Sequence, residues 1–193
     1  VIGLKLSNFV DFNSGTPQFR IQEAIQNDAP SYKFYSQDDL ENDLYAEFSN
    51  SQQEKQVKTF DKVSLLNVGD VVFSLISGKA TIVSEGNAGK LYTQNYVLLN
   101  KFKEILPQYL VYFINEDISI KRQFQTGMQG SITMKYTVKQ LRELKITHLP
   151  NKTEQKIIGD IYFKQLKLEM LKKRVAKNET LIRLKQLQEV GNK

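Results

Sequence analysis

From Thr153 to Glu189 the chain contains no proline, and its only glycine is Gly159, near the start. Nothing in that stretch interrupts a helix. Ile161, Leu168, Val175 and Ile182 recur every seven residues, with Leu171 interleaved and Asn178 and Lys185 at later positions of its series. This is a heptad-like stripe. At the rise of an α-helix the segment spans roughly 55 Å. A small domain cannot cover an apolar stripe of that length, so the stripe calls for a partner helix from another subunit or another chain. Asn178 on the seam fits a register-setting polar contact; a helix that drifts off the repeat would leave it simply exposed.

The preceding residues read differently. "LLNVGDVVFSLISGKATIVSEGNAGKLYTQNYVLLN" (65–100) contains short apolar runs separated by glycine turns. It predicts three strands: one around Val71–Ile76, a return through "ATIVS", and a third in "NYVLLN". Tyr32–Tyr35 reads as a short strand leading to a turn or short helix capped near Ser36. Residues 49–58 are polar and read as exposed. Pro107 opens a helix with Tyr109, Leu110, Phe113 and Ile114 on one face. A second helical stretch covers 117–125, and Thr137 caps a third over 137–144. "KITHLP" (145–150) exits as a short strand. The fold class is α+β: a small twisted or barrel-like sheet with packed helices over 1–150, then a long coiled-coil helix over 151–193.

Several kinds of chemistry lack their residues. With 40% apolar and 10% aromatic residues the chain builds a core, and with no cysteine it has neither disulfides nor thiol chemistry. His148 is the only histidine, sits in an extended exit, and has no nucleophile motif beside it. No phosphate-binding glycine loop occurs. The carboxylates of "DDLENDLYAE" (38–47) could hold magnesium, but an acidic turn on a solvated face accounts for them more simply. "TEQK" (153–156) reads as a helix start rather than a nuclease acid–lysine pair. No apolar run is long enough for a membrane span and no secretory leader is visible, so a cytoplasmic location is expected.

Charge is distributed unevenly. Residues 1–120 carry 10 basic and 15 acidic residues; residues 121–193 carry 17 and 6. The excess of positive charge in the last third suits a polyanionic partner, or a lysine-rich solvated helix face. One polar, glycine-punctuated segment, "QTGMQGSITMK" (125–135), separates two ordered stretches. Gln125 and Gln129 carry amides that match adenine, Gly127 and Gly130 allow close approach, and Ser131, Thr133 and Lys135 can bond phosphates. Such a segment is also compatible with a plain interhelical loop. Further candidates of the same kind are Arg20 after "SGTP", Lys33 and Tyr35, Lys79 and Lys90 at the sheet turns, Tyr92, Thr93 and Gln94, and Arg122.

Five features in order carry a resemblance: "KLSNFVDFNSGTPQFR" (5–20), "LNVGDVVFSLISGKATIVSE" (66–85), "LPQYLVYFIN" (106–115), "GMQGSITMKYTVKQLRELKITHLP" (127–150) and "TEQKIIGDIYFKQLKLEMLKKRVAKNETLIRLK" (153–185). The "LP…EQ" junction into the long helix is the most telling. The order resembles one half of the specificity subunit of type I restriction–modification systems, a target recognition domain followed by its spacer helix. That resemblance implies a non-catalytic reader of double-stranded DNA. Methyltransferase subunits would dock on it, bringing S-adenosylmethionine on their own chains, and a restriction subunit could join them; no cofactor is expected on this chain. The family's usual subunit has two recognition domains and two spacer helices, whereas this sequence has one of each. A homodimer of antiparallel helices, seamed by Ile161, Leu168, Leu171, Val175, Asn178 and Ile182, would make the target bipartite and palindromic. The rival expectation is an assembly scaffold or inhibitory half-subunit that dimerises without reading DNA.

Overall fold

In a computed structural model, residues 3–26, 28–46, 54–128 and 136–191 are described. In chain order they form β1 (Leu4–Lys5), β2 (Asp11–Ser14), β3 (Ser31–Lys33), α1 (Gln37–Tyr45), β4 (Gln56–Lys58), β5 (Val71–Ser74), β6 (Ala80–Ile82) and β7 (Tyr96–Asn100). Then follow α2 (Pro107–Glu116), α3 (Ile118–Met128), α4 (Val138–Glu143), β8 (Lys145–Ile146) and α5 (Lys152–Gly191). The architecture is the α+β one the sequence predicts.

The central sheet has the order β2-β7-β5-β6, antiparallel throughout. Its side chains alternate between two cores, as a strand's period of two requires. Val71, Phe73, Val97 and Leu99 point to the larger core with α2, α3 and α4. Val72 and Tyr96 point to a smaller one with Tyr35, Leu40, Leu66, Val83 and Tyr92. β1 pairs with β8, and β3 with β4, as two small antiparallel sheets. The second of these differs from the sequence expectation for residues 49–58: Val57 of β4 is buried, and the strand pairs Tyr32 with Val57. Alternation with two polar neighbours hides one inward residue inside an otherwise polar run.

Local signals set the helix ends. Ser36 Oγ accepts from Asp39 N (3.1 Å) while Asp39 Oδ2 accepts from Ser36 N (2.8 Å), a reciprocal cap on α1. Thr137 and Gln140 make the same device on α4. Pro107 occupies the first turn of α2. On α5 the cap is Asn151, so the helix starts at Lys152, one residue before Thr153; Asn151 Oδ1 accepts from Glu154 N and its N donates to Glu154 Oε2, both at 3.0 Å.

α5 has 40 residues, a length of about 60 Å. Its first half lies on the domain. Gln155 is 1% exposed, and Gly159 sits so close to α2 that an added Cβ would fall 2.6 Å from Gln108 Cβ. Ile158, Tyr162, Phe163 and Leu166 continue that contact, and Met170 is buried. From residue 172 to 191 every residue is exposed. Among the described residues no helix is long and apolar enough to cross a membrane.

Gly159 yields a test. In an open helix Gly→Ala gains about 1 kcal/mol from propensity. Here the methyl would strike Gln108, and overpacking costs about 1–3 kcal/mol. Gly159→Ala is expected to lower stability, read from the urea midpoint; a rise would mean that α5 does not seat on α2 as described.

Candidate nucleic-acid interface

Strand order decides which loops meet. β2 ends at Ser14, opposite Val97, and β7 begins at Tyr96. β5 ends at Ser74, opposite Tyr96, and β6 begins at Ala80, opposite Phe73. The segments 15–20, 75–79 and 93–95 therefore emerge at one rim of the sheet. Backbone bonds lock them together: Thr16 N to Tyr92 O (3.0 Å), Leu75 N to Asn95 O (2.8 Å) and Tyr136 N to Leu75 O (3.0 Å). Gly15 makes the closest approach, since a Cβ there would lie 2.3 Å from Thr93 O. Gly78 has φ +69° and packs on the Tyr136 ring with no room for a side chain.

Three of the sequence candidates share this rim. Arg20 lies over the ring of Phe19 at 5.6 Å, and Phe19 is 80% exposed. Gln94 is exposed, and its Oε1 accepts from Gln18 N (2.7 Å). Lys79 is half-buried beside Tyr45, with Nζ 3.5 Å from the hydroxyl and 3.8 Å from Glu41 Oε1. Lys79 and Gln125 line one cleft of about 360 Å³, together with Lys121, Phe124 and Tyr136. Gln129, Gly130, Ser131, Thr133 and Lys135 lie outside the described residues. The chain on either side of them is placed: Gly127 O accepts from Gln140 Nε2 (2.8 Å), and Tyr136 is held at the rim. Arg122 is exposed on α3 but does not line the cleft. Lys33 is exposed and paired with Glu54.

Four other candidates are corrected by their burial. Lys90 is 7% exposed; its Nζ donates to Asp39 Oδ1 (2.8 Å) and Glu54 Oε1 (2.9 Å). Burial opposes its charge, but those two hydrogen bonds prevail and hold its pKa above the usual lysine value. Hydrogen bonds from Lys33 and then Lys90 pull the Glu54 carboxyl down to about 2. Tyr35 is buried and donates to Asp43 Oδ2 (2.8 Å); burial first, then Asp43, pushes its pKa far up. Tyr92 belongs to the smaller core. Thr93 is buried under the loop, where its Oγ1 faces Asn95 N (3.4 Å). These residues brace the rim and do not face outward from it.

The reading of residues 38–47 as a solvated acidic face needs the same correction. Asp38 and Glu41 are exposed, but Asp39 and Asp43, one turn apart, are buried. Asp43 Oδ1 accepts from Asn87 Nδ2 (2.8 Å) and Ser84 N (3.1 Å). Their lone pairs are spent on the protein itself. Gln37, which sequence reading missed, clamps the β5–β6 turn: Nε2 donates to Ser77 Oγ (2.9 Å) and Oε1 accepts from Ser74 Oγ (3.0 Å). Lys121 was missed as well, although its spacing of four from Gln125 places both on one face of α3.

On α5, Ile161, Leu168, Val175 and Ile182 are 44–62% exposed, and Asn178 is exposed while Leu171 is partly buried. The domain takes the face bearing Gln155, Gly159 and Met170, so the seven-residue stripe is left open. Ile157, 53% exposed, extends it toward the helix start.

No family model matches the chain, and no curated protein matches it in sequence. Solved structures do match. The HsdS subunit from Thermoanaerobacter tengcongensis aligns at a TM-score of 0.58 and 16% identity, over 95% of this chain and 41% of its own. A chain from a structure on complex assembly and conformational transition of the type I R-M system aligns at 0.60 and 17% identity, over 95% of this chain and 42% of its own. The chain has their fold, domain and long helix together, and spans about two fifths of their length.

The buried and the rim lysine are expected to behave differently. Lys90→Ala strands a buried carboxylate and should cost about 3–5 kcal/mol. Lys79→Ala removes a partly exposed, loosely held pair and should stay within about 0.5 kcal/mol of the parent. Chemical denaturation of both variants checks this; equal losses would contradict the assignment of Lys90 to the interior.

Proposed function

We propose that the chain is a non-catalytic, DNA-reading specificity subunit of a type I restriction–modification enzyme. The observation that carries this reading is the convergence of Arg20, Lys79 and Gln94 on one rim, with Gln125 lining the cleft beside Lys79, although the four are scattered over a hundred residues of sequence. Cations there would hold phosphates and set the register. Gln94 and Gln125 carry the paired donor and acceptor that suit an adenine edge in the major groove. Gln125 and Tyr136, in the chain on either side of 129–135, both line the cleft, so Gln129, Ser131, Thr133 and Lys135 are proposed as part of the same surface. The fold shared with type I chains supports the reading.

Each chain would read one half-site. The open stripe on α5 would pair with a second copy, antiparallel, and hold two rims apart. Two-fold symmetry then makes the target an inverted repeat, with the gap set by helix length. Methyltransferase subunits would dock on this frame and bring S-adenosylmethionine with them, and a restriction subunit could complete the complex. The strongly basic exposed half of α5, with Lys172, Lys173, Arg174, Lys177, Arg183 and Lys185 against Glu179 and Glu189, favours a polyanion nearby.

Two measurements test this. Binding to a mixed-sequence duplex, followed by anisotropy over a salt series, should show slopes about one unit shallower for Arg20→Ala and for Lys79→Ala. Unchanged slopes in both would remove the rim from the DNA interface. Leu168→Asp combined with Val175→Asp should sediment as a monomer, whereas a persistent dimer would place the contact off the stripe.

A further inference from the structure

We infer that Phe19 and Ile76 select thymine in the half-site, by contact with its C5 methyl in the major groove. This rests on the DNA reading proposed above and names what two further side chains of the rim recognise. Phe19 is 80% and Ile76 47% exposed, and neither packs in either core. A single exposed apolar side chain needs no explanation. Two that share a rim with Arg20 and Gln94 ask for an apolar partner there.

Sheet order places them. β7 lies between β2 and β5, so the loop 93–95 that opens it stands between the loops 15–20 and 75–79 that leave the other two. Gln94 Oε1 accepts from Gln18 N (2.7 Å), and Asn95 O accepts from Leu75 N (2.8 Å). Phe19 and Ile76 are the next residues along, one to each side of the Gln94–Asn95 pair. Both backbones are held. Phe19 sits in a 3-10 turn closed by Arg20 N to Pro17 O (2.9 Å) and Ile21 N to Gln18 O (3.2 Å). Ile76 N donates to Ser74 Oγ (3.1 Å), the same hydroxyl that Gln37 holds.

Chemistry then selects the base. In the major groove every base edge carries hydrogen-bonding groups, and only thymine adds a methyl. An apolar side chain set against the amino group of cytosine or O6 of guanine takes that group out of water and returns no hydrogen bond. Against a thymine methyl it covers apolar surface with apolar surface. Gln94, between the two, suits adenine, so the three side chains together favour A·T pairs. The Arg20 guanidinium over the Phe19 ring adds a cation beside that contact for a phosphate.

The full chain is used to select duplexes from a randomised library. The enriched site is then remade with deoxyuridine for each thymine in turn, which removes only the methyl. Burying one methyl is worth about fourfold in affinity. At least one replacement should therefore weaken binding of the parent by about that factor, read by anisotropy. The double variant Phe19→Ala with Ile76→Ala should bind the thymine and uracil forms of that position alike. An enriched site in which no replacement matters overturns the inference and leaves the DNA reading standing. A double variant that keeps the difference also overturns it. With affinity unchanged, the two side chains belong to a protein contact; with affinity lowered throughout, they wedge between base steps. No enriched site at all overturns both the inference and the reading it rests on.

Discussion

The side chain of Gln155 holds the molecule's geometry. Its Oε1 accepts from Leu106 N (2.8 Å), and its Nε2 donates to Glu104 O (3.0 Å) and Pro150 O (2.8 Å). One buried amide thus ties the start of α5 to the chain entering α2 and to the chain leaving β8. Losing it would leave several buried backbone groups without partners, each costing about 1–3 kcal/mol. Four residues on, Gly159 lets the two helices touch at the backbone. Direction is set at the foot of a stiff helix, so the far end, some tens of ångströms away, inherits that direction.

At the other side of the domain a buried charge cluster does similar work on the loops. Lys90, Asp39 and Glu54 bind α1 to the sheet turns, and Asp43 collects Tyr35, Asn87 and Ser84. An ion pair removed from water gains stability only when its remaining hydrogen bonds are satisfied, and here they are. The consequence is a rim of short loops with little freedom, crossed by Gln37 and Asn115. Asn115 bonds both backbone groups of Ala80 and ties the rim to α2. Arg20, Gln94 and Gln125 stand exposed on this base, with Lys79 half-buried beside Tyr45, so their positions are set by a rigid support.

Much of this was legible locally. Ser36, Thr137 and Pro107 announce their helices because caps and first-turn prolines act within four residues. "VVFS" announces a strand buried on both faces. The junction "LP…EQ", visible as a pattern, is explained by Gln155 bonding Pro150 O. Legibility failed where exposure depends on a distant partner. Lys90 reads as a surface cation because nothing nearby in sequence tells that Asp39, 51 residues earlier, faces it. Tyr35 and Tyr92 carry a polar tip on an apolar body, and only the tertiary fold decides which governs. Val57 was lost in a polar run because one inward residue has no period to reveal it. The rim itself was not legible at all, since strand order, and no local signal, gathers its loops.

The central claim is that two copies of one rim read one DNA target. Co-expression with an adenine methyltransferase subunit that forms a complex with this chain, followed by mapping of methylated adenines across the host genome, tests it most directly. The account predicts methylation within an inverted repeat split by a gap of constant length. A stable complex that methylates no defined sequence, or one contiguous asymmetric site, would contradict it.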